Sequence, residues 1–178
     1  MSEQHPVKVK TYNSVYLDEA KRHLRIEADW EQDDEYITNL ISAATQLCEN
    51  YIGKDIALTT NTLKLWDYAG QYLTIDEGNF ISVDSIETDT SVNVAVENLD
   101  IGYNRAEMKF TTSVKLDPLY VSYTTGYNDN QIPFPIKQAI LVKIGDLYDM
   151  ERSSYIAGVF KETNAWTRLL DAYKLITY

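Results

Sequence analysis

The spacing of apolar residues changes twice along this chain, and those two changes limit the folds open to it. In the first third, apolar side chains recur at i, i+3, i+4 and i+7, the spacing of one-sided helices. From residue 59 to 132 they alternate with a period of two, as in half-buried strands, and beyond 132 the helical spacing returns. The expectation is an α+β protein: a small bundle of about four helices with a β-rich insertion between the second and third. We read residues 1–178 as a single domain, with a helical core at 14–58 and 133–178 and the insertion at 59–132.

The helical segments carry their own start and stop signals. In "LDEAKRHLRI", Asp18 and Glu19 occupy the first turn, and Arg22 and Arg25 stand near the end, as the helix dipole favours. The second helix opens at Asp33, Asp34 and Glu35, whose oxygens are expected to cap free N–H groups. Ile37, Leu40, Ile41, Ala44, Leu47, Cys48 and Tyr51 predict its buried stripe, and Gly53 its left-handed stop. Thr38, Asn39, Ser42, Gln46, Glu49 and Asn50 fill the other face. A third helix starts with Pro135 in its first turn and follows Ile136, Ile140, Ile144, Leu147 and Tyr148, with Ala139, Leu141 and Val142 widening the stripe. The fourth begins at Thr163 or Asn164 and runs through Trp166, Leu169, Leu170 and Tyr173.

In the middle, residues 62–66, 72–75, 80–87, 92–98, 106–111 and 119–127 read as strands. Ala69-Gly70, Glu77-Gly78-Asn79 and Asn128-Asp129-Asn130 read as turns between them.

Charge and composition exclude several functions. Sixteen Lys and Arg face 27 Asp and Glu, a net charge of −11 that repels phosphate backbones. The segment 59–132 holds 11 acidic and 4 basic residues, so the acidity is concentrated there. A lone cysteine, Cys48, and an opening "MSEQHP" without a secretory pattern predict a soluble protein of a reducing compartment. No apolar run approaches the ~20 residues that cross a bilayer, and no membrane association is expected. His5, in a polar N-terminal tail, His23 and Cys48 have no metal-ligand spacing. Phosphate loops and nucleophile elbows are absent, so neither a cofactor nor enzymatic activity is expected. The 14 tyrosines suit either half-buried strands or interfaces. Residues 153–164, with Tyr155, Ile156, Val159 and Phe160, read either as a loop folded on the core or as a contact surface.

The order of residues is more telling than any one of them. Leu17, Ala20, Lys21, Leu24, Arg25 and Ile26, then Asp33 and Asp34, then Ile37, Ile41, Ala43, Ala44, Glu49, Tyr51 and Gly53 follow a recurrent N-terminal pattern. "TTGYNDNQIPFPIKQAIL" and "LLDAYKL" follow in the same order and at approximately the same spacing, with Lys174 where arginine is more usual. Together, over about residues 14 to 178, they resemble the head-tail connector (neck adaptor, DNA-packaging) family of tailed bacteriophages.

That resemblance implies a structural subunit that forms a ring under the portal protein of a virion, extends the DNA channel and receives stopper or tail-completion proteins. DNA would pass through without sequence-specific binding, and assembly would take place in the bacterial host cytoplasm. On this reading Phe160, Trp166 and Tyr173 are candidates for docking on the portal. The small residues Ser42, Ala43 and Thr45 are candidates for the contact between ring subunits. The competing reading is a non-viral adaptor that binds a protein or glycan through the β-rich insertion.

Overall fold

The computed structural model describes residues 2–3, 6–11, 14–88, 94–102, 105–128, 131–152 and 164–175. The chain divides into two compact units, one of residues 1–12 and 57–128, the other of residues 13–56 and 129–178.

The first unit is built from strands. β1 (Ser2–Glu3) and β2 (Val7–Lys10) both run antiparallel along one edge of β3 (Thr59–Trp66). β8 (Leu119–Thr125) lies on the other side of β3, and β5 (Phe80–Thr88) pairs with β8. β4 (Tyr68–Ile75), β7 (Ala106–Leu116) and β6 (Val96–Ile101) form a second antiparallel sheet in the order β4-β7-β6. Alternation fills one core from both sheets. Leu63 and Leu65 of β3, Ile86 of β5 and Leu119, Val121 and Tyr123 of β8 pack with Tyr68, Leu73, Met108 and Phe110 of the second sheet.

Two features of this unit correct the reading of the sequence. The opening of the chain is not a tail: "VKVK" is an edge strand, whose four residues are too few for their alternation to signal it without β3. Ala69-Gly70 is not a turn either, because β4 continues through it, paired with β7 and bulged between Gly70 and Tyr72. The chain bends instead at Asp67, whose φ is 50°, and passes there from the first sheet into the second without reversing. The predicted turn at Asn128-Asp129-Asn130 falls partly outside the described residues.

Gly126 is a place where no other residue fits. Its φ is 96°, and a Cβ there would lie 2.1 Å from the carbonyl oxygen of Ala57.

The second unit holds α1 (Leu17–Leu24), α2 (Asp34–Ile52), α3 (Phe134–Arg152) and α4 (Ala165–Leu170), the last continued by a 3-10 turn at Asp171–Tyr173. The Glu19 carboxylate accepts the Tyr16 backbone N–H at 3.2 Å at the start of α1. Gly53, at φ 71°, ends α2 as its position predicts. The core of this unit is Ile37, Ile41, Ala44, Cys48 and Ile52 of α2 with Ile136, Ala139, Ile140 and Ile144 of α3. Every residue of α3 from 135 to 148 is buried or half-buried, as its broad stripe implies.

The buried arc of α2 is turned from the predicted one. Thr45 and Glu49 are buried, at 4% and 8% exposure, whereas Leu47 is 39% exposed. The cause is that α1, α3 and α4 all pack on this helix and extend its covered arc toward Thr45, Glu49 and Ile52. Glu49 is accommodated because its Oε1 accepts the Ile56 backbone N–H at 3.0 Å.

Candidate docking surfaces

The two ends of the sequence pattern meet in space. At the C-terminal end of α2, Tyr51 donates its hydroxyl proton to Asp171 Oδ1 at 2.7 Å. The Lys174 ammonium lies 3.9 Å from the centre of the Tyr51 ring and 3.3 Å from Asp171. The Tyr51 hydrogen bond, helped by Lys174, holds the Asp171 carboxyl below its usual range, and contact with Tyr51 and then Asp171 holds Lys174 above its own. Leu175 donates its backbone N–H to the Ile52 carbonyl at 2.7 Å, and Leu170 is fully buried. The "Glu-x-Tyr-x-Gly" and "Leu-Leu-x-x-Tyr-Lys" elements thus form one clasp.

Trp166 belongs to that clasp. Its ring meets Tyr51 edge-on at 5.3 Å, and the Lys143 ammonium lies 5.1 Å from its centre. The side chain is half-buried, and its buried indole N–H has no acceptor among the described residues. Tyr173 is half-buried in the 3-10 turn. Phe160 lies outside the described residues.

The proposed subunit-contact residues separate. Ser42 and Ala43 are exposed on α2, with the Ser42 hydroxyl donating to the Thr38 carbonyl at 3.2 Å. Thr45 faces inward at 4% exposure, so no neighbour reaches it; assigning it to the polar face missed the turn of the buried arc.

The acidic start of α2 also differs from a simple cap. Asp33 takes the N-cap position without a side-chain capping bond, and instead accepts the Tyr148 hydroxyl at 3.3 Å. Asp34 pairs with Lys21, which is only 5% exposed and also donates to the Ala28 carbonyl at 3.3 Å. A lysine in α1 therefore anchors both the following loop and the next helix. In the sequence Lys21 is legible only as part of the ordered pattern, because its spacing from Asp34 carries no periodic signal.

Cys48 is buried, and that burial, with Glu49 beside it, pushes its thiol up to about 12, so it stays protonated and unreactive. Among the described residues, no group of three His, Cys, Asp or Glu is arranged to hold a metal. Among the same residues, no helix is long and apolar enough to cross a membrane.

The sequence profile of the Phage gp6-like head-tail connector protein family matches residues 14–130, more than half of the chain. The chain belongs to that family. No curated protein sequence matches this connector significantly. Among solved structures, it is similar to a chain in the neck of an empty gene transfer agent (GTA) particle computed with C6 symmetry. That match has a TM-score of 0.75 at 15% identity and covers 97% of each chain. A chain in the neck of the native GTA particle computed with C12 symmetry matches at TM-score 0.71 and 14% identity, over 98% of the connector and 97% of that chain. A chain from the native GTA virion matches at 0.69 and 15%, over 97% of each. At such identities the likeness is one of fold.

Proposed function

We propose that this connector is a ring subunit of a phage-like neck, docking under the portal, extending the DNA channel and receiving stopper or tail-completion proteins. The observation that carries the reading is a conjunction: a head-tail connector profile over residues 14–130, and a fold like that of neck chains over 97% of the molecule. Net charge supports it physically, because a surface of −11 favours passage of DNA over adhesion.

Within this reading, the clasp of α2 and α4 is the docking region, with Trp166 and Tyr173 as its contact side chains, joined by Phe160. Ser42 and Ala43 present the surface on which a neighbouring subunit packs. A ring needs such heterologous contact, in which different patches of adjacent copies meet.

The test is co-sedimentation with the portal protein of the same particle, followed by negative-stain electron microscopy of the pellet. The expected result is an added ring on one face of the portal. A protein that stays in the supernatant and remains monomeric at high concentration would overturn the proposal.

A further inference from the structure

Between Arg25, the cap of α1, and Asp34, the first residue of α2, the chain forms a loop whose side chains meet α3 at Tyr148. Ile26, Glu27, Trp30, Asp33 and Tyr148 line a groove there of about 250 Å3. One wall is the buried Tyr148, whose ring centre is 5.9 Å from that of Tyr36. Trp30 is 46% exposed, an unusual position for so large an apolar ring on a loop.

Charge narrows what the groove can receive. Residues 26–53 contain no Lys, Arg or His, while Glu27, Asp29, Glu31, Asp33, Asp34 and Glu35 fall between 27 and 35. Of the cations near it, Lys21 is engaged with Asp34 and Arg22 with Asp18, and the exposed Arg25 at the cap of α1 is outnumbered by these carboxylates. An anionic guest, nucleic acid included, is repelled by this surface. A purely apolar guest would strip water from Glu27 and Asp33 without replacing its hydrogen bonds. A lysine offers a compact, strongly hydrated charge that stacks poorly. A guanidinium meets every demand: its flat face lies on indole and phenol rings, and its edge donates to carboxylates.

We propose that this groove receives an arginine side chain from an extended segment of a partner protein, stacked on Trp30 and paired with Glu27. The site lies apart from the α2–α4 clasp, and its test involves no portal, so its failure leaves the neck reading standing and the reverse holds as well.

The experiment is a titration of the isotope-labelled full chain with the peptide acetyl-Gly-Leu-Arg-Gly-amide. It is followed through the Trp30 indole resonance, which is assigned by its loss in Trp30→Phe. A saturable shift with a Kd on the order of 1 mM is expected, weakened about fivefold or more in Glu27→Gln. The counterpart peptide with neutral citrulline should leave the resonance unmoved. No shift up to about 10 mM peptide, an equal shift with citrulline, or full affinity in Glu27→Gln would each overturn the proposal. If the same resonances move with protein concentration alone, the guest is a second copy, which also overturns it.

Discussion

The two units of this connector bury different chemistry. Among the described residues, the strand-built unit buries neutral polar side chains only, Thr59, Asn61, Asn79 and Thr125, beneath an apolar core shared by its two sheets. The helical unit buries charge: Lys21, Glu49, Lys54, Asp55 and Lys143 are each under a tenth exposed. A sheet satisfies its backbone through the ladder, so alternating apolar side chains are enough to hold it. Helices joined by loops need their ends tied, and here long charged side chains reach from one element to the next. The helical unit thus depends on specific pairs, and the strand unit on volume and close backbone approach.

Gly126→Ala should break the strand unit most severely. The added methyl would collide with the Ala57 carbonyl oxygen at a φ of 96°, and a loss of about 4 kcal/mol or more is expected in denaturant unfolding. Unchanged stability would mean that close approach is dispensable there.

Lys21→Ala comes next, with an expected loss of about 3 kcal/mol, because Asp34 keeps its charge without its cation. The pair Lys21→Met and Asp34→Asn should together cost less than the sum of the two single changes, a coupling that a double-mutant cycle reads directly. Additive losses would remove buried pairing as the distinction between the units.

A smaller effect, about 2 kcal/mol, is expected for Trp166→Ala, since the side chain is only partly buried. A melting curve measures that loss, and portal co-sedimentation should fall further than stability accounts for. Undiminished portal binding would make Trp166 a packing residue of the clasp and nothing more.

The smallest change in the isolated chain belongs to Ala43→Arg, at under about 0.5 kcal/mol, because Ala43 faces solvent on α2. Ring formation on the portal should nevertheless fail. Normal rings would move the subunit contact to another face.

What the sequence determined by itself is whatever neighbouring residues settle among themselves. The change of period marked helices from strands, Gly53 marked the end of α2, and the breadth of the α3 stripe marked its burial. The family too was legible, because its pattern is an ordered set of short local motifs. Tertiary structure alone decided the strand role of Val7–Lys10, the path of β4 through Ala69-Gly70, and the inward turn of Thr45 and Glu49. It also brought Tyr51 to Asp171 and Trp166, and Lys21 to Asp34. Each of these outcomes depends on a partner remote in the chain. Local periodicity reports how a segment can fold, whereas the burial of a polar group depends on which distant atom arrives to satisfy it.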